Sequence, residues 1–311
     1  MRRTMYLLAS KELAIFVRGS GRRAEKEIRW MLAKGVSEGS LRELVDGVLQ
    51  SLERPLTPSA LAERVSESLG LRMQFKRGGG WGSGRMVACV KIGRLACPAV
   101  YLMHLAGARG VICSVPGQDN QSNFVRADKW IPQWRDISVE QAERELLRRY
   151  LQAFGPATAS DFALWAGMRI SDAEEIWSRE AADITEVNVE GWKAAILQSD
   201  LHQLETAKLE QPTVNLLPYF DSFLLGHKER RHIVEARNHR RVYRPHGWVY
   251  PVVLVNGRAV GTWFQAQNNK LLDVRIEPFV PLSPQVSSRL RDEAANLGRF
   301  LECSDVNTRI I

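Results

Sequence analysis

The chain has 311 residues, which is enough for two or three compact units that each bury a core. Its hydrophobic fraction of 45% and charged fraction of 25% are those of a globular protein, and no apolar run approaches the ~18 residues of a membrane span. The four cysteines include no C-x-x-C pair, which disfavours a disulfide framework and predicts reduced thiols in a cytoplasmic protein.

The net charge of +8 is unevenly distributed along the chain. Residues 1–137 carry 22 Lys and Arg against 12 Asp and Glu, residues 138–210 carry 7 against 14, and residues 211–275 carry 10 against 4. Two basic segments therefore flank an acidic one. This asymmetry is typical of proteins that steer a polyanion, such as duplex DNA, toward particular faces.

The first segment, residues 1–137, predicts several short helices followed by a β-hairpin. In chain order, helices are predicted over KELAIFV with Ser10 as its cap, over 22–34, over 40–52, from Thr57-Pro58 onward, and over roughly 91–107. VICSV and NFVRADKW then alternate like a two-stranded wing. The glycine-rich stretch KRGGGWGSGR lacks the G-K-[ST] ending of a phosphate-binding loop, so it is interpreted as a connection.

The second segment, residues 138–210, has the order helix, helix, helix, hairpin, which is that of a winged helix. A helix over 139–153 ends before Gly155-Pro156, and Thr158-x-x-Asp161 caps the next. Ser171-x-x-Glu174 is a predicted capping box for the third helix. The hairpin is expected to turn at Glu190-Gly191.

The third segment, from about residue 211, is predicted to be mostly strand. Asn256-Gly257 lies between two apolar runs, which is the strongest short signal for a hairpin. Gln267-Asn268-Asn269-Lys270 is expected to form the next turn, and a helix is predicted over roughly 284–301. Asp221, inside the apolar run LLPYFDSF, is interpreted as a local cap or the partner of an arginine.

Three stretches, RYLQAFGPATASDFALWAG (149–167), LLPYFDSFLLGHKERR (216–231) and PVVLVNGRAVGTW (251–263), resemble the AlkZ/YcaQ-like winged-helix family. That family contains DNA glycosylases that remove alkylated bases and unhook interstrand crosslinks, and the resemblance runs from about residue 2 to 301. It implies an α+β fold of tandem winged-helix units in a C-shaped arrangement. The implied domains are 1–137, which is N-terminally incomplete, 138–210, and a β-rich 211–311.

The resemblance places no catalytic residue in this chain. In the family, a catalytic Gln-x-Gln or Gln-x-Asp pair precedes a strand that Arg2-Arg3-Thr4-Met5-Tyr6 matches, at the very start of this sequence. Gln265-Ala266-Gln267 presents two amides on one strand face, but the last hairpin is not where the family has its pair, and a polar hairpin tip is the favoured interpretation. Either the start codon lies further upstream or the segment has been lost.

Hydrolysis of the N-glycosidic bond of an N-alkylated purine is the implied reaction, and efficient excision by this chain alone is not expected. Whether the chain is an enzyme therefore stays open. The expected partner is duplex DNA, bound mainly through its phosphates.

The predicted DNA-binding residues lie in a basic block, residues 227–244, and at the tip of the last hairpin. They are His227, Lys228, Arg230, Arg231, Arg237, Arg240, Arg241, Arg244, Gln265, Gln267, Asn269 and Lys270. Lysine and arginine neutralise phosphates, and the amides suit sequence-tolerant contacts. A solvated basic loop is the alternative interpretation of the block. The spacing of His227, His232, His239 and His246 matches no zinc site, so neither a metal nor a cofactor is predicted.

The alternative function is that of a non-catalytic winged-helix transcriptional regulator or nucleoid-type DNA-binding protein. A regulator of this kind reads the major groove with its third helix. Here that helix, SDAEEIWSRE, carries Asp172, Glu174, Glu175 and Glu180, which would face phosphates poorly. It is predicted to be a packing helix instead, with Ile176 and Trp177 facing inward.

Overall fold

The computed structural model describes residues 7–71, 73–77, 86–92, 95–117, 122–131 and 136–311. The strand predicted at residues 2–6 and residues 78–85 of the glycine-rich stretch lie outside the described residues. The chain has a mixed α+β fold that divides into two compact units. Unit 1 contains Met1–Ala153 and Phe162–Ile184, and unit 2 contains Phe154–Asp161 and Thr185–Ile311.

The N-terminal part of the chain is mainly helical. Its helices are α1 (Leu13–Gly19), α2 (Gly21–Ala33), α3 (Glu38–Ser51), α4 (Pro58–Ser68), α5 (Ala99–Ala108), α6 (Ala127–Trp130), α7 (Val139–Phe154), α8 (Ala159–Ala166) and α9 (Ile170–Arg179). Its strands are β1 (Met73–Arg77), β2 (Met86–Ile92) and β3 (Leu95–Pro98), which form one antiparallel sheet, and β4 (Ile112–Pro116) and β5 (Ser122–Arg126), which form a hairpin. The hairpin predicted from VICSV and NFVRADKW is confirmed, but its second strand ends at Arg126, and ADKW forms α6 instead.

The C-terminal part is built on a five-stranded sheet. Its elements are β6 (Ile184–Val189), β7 (Trp192–Leu197), α10 (Leu201–Thr206), β8 (Val214–Leu217), α11 (His239–Val242), β9 (Val252–Val255), β10 (Arg258–Asn268), β11 (Leu271–Pro278), α12 (Pro284–Phe300) and β12 (Asp305–Ile310). The sheet order is β12-β11-β10-β9-β8, with β12 parallel to β11 and the other pairs antiparallel. None of the described helices is long and apolar enough to cross a membrane.

Turn and cap chemistry places several elements where the sequence predicts them. Thr57 Oγ1 accepts a hydrogen bond from the Ala60 N–H at 3.3 Å and begins α4. The β6–β7 turn has left-handed backbone at Glu190 (φ 51°) and Gly191 (φ 90°), as a tight hairpin requires. Asn256-Gly257 turns β9 into β10 in the same way. These three predictions are confirmed.

Three local predictions are wrong. Ser10 begins a short 3₁₀ turn, Ser10–Glu12, and its side chain makes no capping hydrogen bond. The apolar run predicted as a helix over 91–107 first completes β2 and forms β3, and it becomes helical only at Ala99, because Lys91 and Ile92 pair with Ala96 and Leu95 within a sheet. Ser171 does not cap α9, which begins one residue earlier with Arg169 as its N-cap residue.

The acidic helix α9 is held inside unit 1 by arginines. Arg22 on α2 contacts the carboxylate of Glu143 at 2.7 Å and that of Glu175 at 2.7 Å. Glu143 is 1% exposed and also accepts from Arg179 at 2.6 Å. Hydrogen bonds that the Arg22 guanidinium donates to Glu175 and Glu143 raise the pKa of Arg22 above its usual value. The acidic side chains therefore join α2, α7 and α9, and Ile176 is fully buried as predicted.

The core of unit 2 lies between its sheet and α12. Apolar side chains of β11, among them Val274 and Ile276, are fully buried against Leu290 and Ala294 of α12. The indole of Trp263 on β10 donates a hydrogen bond to the Leu217 carbonyl at 2.7 Å. The segment between β8 and β9, where the basic block lies, is therefore held at both ends by strands of this sheet.

Candidate nucleic-acid interface

Two of the quoted sequence blocks meet at the carboxylate of Asp161, within unit 2. Its Oδ2 accepts hydrogen bonds from the backbone N–H of Thr158 at 2.9 Å and from the Thr158 hydroxyl at 2.6 Å, as the predicted cap requires. Its Oδ1 accepts from the backbone N–H of Lys228 at 2.7 Å. Asp161 is 3% exposed, so these three bonds replace its hydration. The start of the basic block is therefore fixed to the residues that begin α8.

Two histidines, one on each side of Lys228 in the sequence, pack together. His227 is 3% exposed, and its Nε2 lies 3.3 Å from the carbonyl oxygen of Pro156. Its Nδ1 is buried and has no hydrogen-bond partner among the described residues. The ring of His232 meets it edge-on, with 4.6 Å between centroids. Burial, and then the neighbouring His227, lowers the pKa of His232, so that His232 is neutral at pH 7.

The glycine of the LLGHK sequence has a packing role at the same place. A Cβ on Gly226 would overlap the ring of Phe154. Phe154 also meets the His227 ring edge-on, with 6.5 Å between centroids. Gly226 therefore allows the chain to pass close enough to Phe154 for His227 to be enclosed. His227 lies beneath the surface, while the next residue, Lys228, is exposed.

Several arginines of the basic block lie over aromatic rings. The pairs are Arg230 over Tyr243 at 4.3 Å, Arg241 over Phe279 at 4.3 Å and Arg244 over Tyr250 at 5.0 Å, measured from guanidinium carbon to ring centroid. An aromatic face attracts a cation without neutralising it. These rings therefore orient the guanidinium groups and leave their charge available to an anion.

The other charges of the block differ in how they are paired. Arg237 contacts Glu235 at 2.7 Å, and Arg231 lies 3.9 Å from Glu229. Arg240 is exposed on α11 and contacts no carboxylate in the part of the chain that the structure describes. The uncompensated positive charge is therefore concentrated on and around α11, whose residues 239–242 carry two adjacent arginines.

The predicted residues of the last hairpin lie near its tip. Gln265 and Gln267 are both exposed on β10, opposite Val274 and Leu272 of β11. Gln267 Nε2 donates to the Asn269 carbonyl at 3.2 Å. Asn269 has a left-handed backbone (φ 52°) and forms the turn together with Lys270, whose Nζ donates to the Glu302 carbonyl at 3.0 Å.

The remaining candidates have local roles. The Asp221 carboxylate accepts from the Phe223 N–H at 2.9 Å, which is a local cap. His239 packs on the ring of Tyr243 with 4.7 Å between centroids. Among the described residues, no group of three or more His, Cys, Asp and Glu side chains is arranged to hold a metal ion.

The sequence patterns did not single out Tyr219 and Trp248. Their side chains are 45% and 42% exposed, and their rings meet edge-on with 5.9 Å between centroids. The only signal in the sequence is that each aromatic residue adjoins a turn former, in LLPYF and PHGWVY. An aromatic residue beside a turn is too common to have marked them.

Comparison with known proteins gives consistent results over nearly the whole chain. The model of the family described as "DNA glycosylase AlkZ-like" matches residues 1–300. The interstrand DNA cross-link repair glycosylase of Streptomyces sahachiroi is 30% identical over 290 residues, covering 91% of this chain and 72% of that protein. The solved structure of Streptomyces sahachiroi DNA glycosylase AlkZ superposes with a TM-score of 0.77 at 25% identity, covering 100% of this chain and 80% of that one.

Proposed function

The chain belongs to the AlkZ-like DNA glycosylase family, and we propose that it binds duplex DNA mainly through phosphates contacted by the basic block. The observation that carries this proposal is the group of exposed arginines on and around α11, which lie on aromatic rings or without a carboxylate partner in the described residues. When such cations contact phosphates, the DNA releases its bound counterions, and this release dominates non-specific affinity for DNA.

In this proposal the predicted residues have different roles. Lys228, Arg230, Arg240, Arg241 and Arg244 provide the phosphate contacts, and the ion-paired Arg231 and Arg237 add long-range attraction. The enclosed His227 supports the block from beneath. The hairpin residues Gln265, Gln267, Asn269 and Lys270 add sequence-tolerant contacts, because amides both donate and accept hydrogen bonds.

We also propose that the fold is a tandem array of winged-helix units with divisions near residues 137 and 210. The order α7, α8, α9 and then the β6–β7 hairpin supports the second of these winged-helix units, whose helices belong mostly to the compact unit 1 and whose hairpin belongs to the compact unit 2. In that unit the third helix would not read bases, because Asp172 and Glu180 on and beside α9 are buried and paired with Arg169 and Arg144. This pairing disfavours a sequence-specific regulator and favours a backbone-contacting protein.

Base excision by this chain is proposed to be inefficient. Gln265 and Gln267 lie on an exposed part of β10, where water is not excluded from a developing oxocarbenium ion. An alkylated purine is already a good leaving group, so positioning of water would be the main task of a catalytic site. No described pair of amides is enclosed in the way this task requires.

The binding proposal is tested by the salt dependence of affinity. Each lost phosphate contact lowers the slope of log K against log salt by about 0.9, so Arg240→Ala/Arg241→Ala should lower it by about 1.8. The matched control is Arg291→Ala/Arg299→Ala, which removes the same charge from exposed positions on α12. Fluorescence anisotropy with a labelled duplex measures both slopes. Equal slopes for the two double variants would show that α11 does not contact the phosphates.

The excision proposal is tested in the same tubes by release of 7-methylguanine from methylated duplex, in single turnover with the protein in excess. Salt-sensitive binding without enzymatic release is the expected result. Release at an enzymatic rate would refute the proposal, and Gln265→Ala and Gln267→Ala would then locate the catalytic groups. Absence of binding would refute the DNA-binding function itself.

A further inference from the structure

Three aromatic side chains of unit 2, Tyr219, Trp248 and Tyr250, form one cluster, here called the aromatic patch. Tyr219 meets Trp248 and Tyr250 edge-on, with 5.9 Å and 5.7 Å between centroids. Rings of this size are usually buried, and nearly half of Tyr219 and of Trp248 is exposed. An exposed cluster of large rings indicates a surface that contacts a ligand.

The backbone on both sides of the patch is fixed in an unfavourable conformation. Phe220 has φ 59° and His246 has φ 60°, in the left-handed region that bulky residues rarely adopt. The Phe220 N–H donates to the Val249 carbonyl at 3.2 Å, and the Arg244 N–H donates to the Trp248 carbonyl at 2.8 Å. The Phe220 ring packs on Trp248 with 5.3 Å between centroids. These contacts connect the segments on both sides of the patch, and backbone strain of this kind is concentrated at functional sites.

Cations border the patch. Arg244, the last arginine of the basic block, lies over Tyr250 at 5.0 Å. The Tyr250 ring meets the Phe264 ring with 5.9 Å between centroids, and Arg275, which is ion-paired with Glu277 at 2.9 Å, lies over Phe264 at 5.2 Å. Exposed rings next to arginines are the combination that binds unpaired nucleic acid, in which bases stack on the rings while the backbone phosphates meet the cations. An apolar peptide would gain nothing from the flanking charges.

We propose that the aromatic patch stacks against unpaired bases of DNA bound by the basic block. This inference rests on the proposed DNA-binding function and adds a preference within it, for duplexes that contain unstacked nucleotides over fully paired ones. Stacking does not depend on base identity, because every base has a flat face. The patch therefore selects DNA by local loss of pairing and not by sequence.

The test compares a labelled duplex that carries a loop of unpaired thymines with the fully paired duplex of the same length, using anisotropy at fixed salt. Wild-type protein should bind the looped duplex about tenfold more tightly, given the usual strength of stacking on one ring. Tyr219→Leu and Trp248→Leu, made separately, keep apolar bulk but remove the flat ring, and each should abolish most of this preference. Phe300→Leu is the control, because Phe300 is an 83% exposed ring of the same unit that lies on α12.

Each outcome is decisive. If wild-type protein binds both duplexes equally, the stacking inference is wrong while the DNA-binding function stands. This comparison uses only the wild-type protein, so it does not depend on whether a variant folds. If both variants lose affinity equally for paired and looped DNA, the patch contacts the backbone and the inference is also wrong. If wild-type protein binds neither duplex, the proposed function fails together with the inference. Thermal melting by circular dichroism identifies a variant that is misfolded.

Discussion

Replacing Asp161 by asparagine should destabilise unit 2 without weakening the salt dependence of DNA binding. The carboxylate accepts from three donors, namely the Thr158 N–H, the Thr158 hydroxyl and the Lys228 N–H. An asparagine offers one oxygen, and its amide NH₂ would face at least one of the two backbone N–H groups in either orientation. One buried backbone donor therefore loses its acceptor, which costs about 1–3 kcal/mol.

Urea unfolding followed by tryptophan fluorescence and by circular dichroism measures this loss, because two units need more than one probe. Asp292→Asn is the matched control, since it makes the same change at an exposed position of α12 in the same unit. The salt slope for duplex DNA should be the same in both variants, because the basic block keeps all its charges. Unfolding curves that differ by less than about 0.5 kcal/mol would refute the reasoning, because such a difference is within the range of surface substitutions.

Two further predictions concern close packing and pH. Gly19→Ala should lower the free energy of unfolding by about 1–3 kcal/mol, because the new Cβ would lie 2.6 Å from the Ala142 carbonyl oxygen. The control is Gly21→Ala, whose Cβ meets nothing within 4 Å and which should be neutral or stabilising. Equal shifts of the melting temperature in the two variants would contradict this prediction. Burial lowers the pKa of His232 below 6.5, so the unfolded chain binds the extra proton and stability should fall as the pH drops from 6.5 toward the folded pKa. His232→Gln should reduce the dependence of the urea unfolding midpoint on pH over this range. An unchanged dependence on pH would show that another group titrates.

The parts of the fold that the sequence predicts correctly are those fixed by local chemistry. Asn256-Gly257 requires two left-handed residues, which specifies a hairpin without reference to the rest of the chain. The strand β12 was not predicted. In the sequence it is separated from its partner β11 by α12, and parallel strands are not joined by a tight turn that the sequence could have shown. The helix predicted over 91–107 failed for a related reason, since an apolar run alone does not distinguish a buried strand from a buried helix.

The candidate site was only partly predictable for the same physical reason. Charge identifies the basic block, because like charges that are adjacent in sequence remain adjacent on a short helix such as α11. Burial of His227 depends on Pro156 and Phe154, some 70 residues earlier in the chain, so its position in the sequence among lysine and arginine could not reveal that its ring is enclosed. The ion pair between Arg22 and Glu175 of α9 likewise joins residues that only the folded chain brings together.

The division of the chain has a consequence for any attempt to dissect it. The chain passes from unit 1 to unit 2 at residues 153–154, returns at 161–162 and crosses again at 184–185. A fragment that starts at residue 185 would therefore lack the segment whose Ala157 pairs with Ala195 and whose Asp161 holds Lys228. No single proteolytic cut or truncation therefore yields both units intact. Recombination between homologues would have to exchange residues 154–161 together with residues 185–311 to keep unit 2 whole.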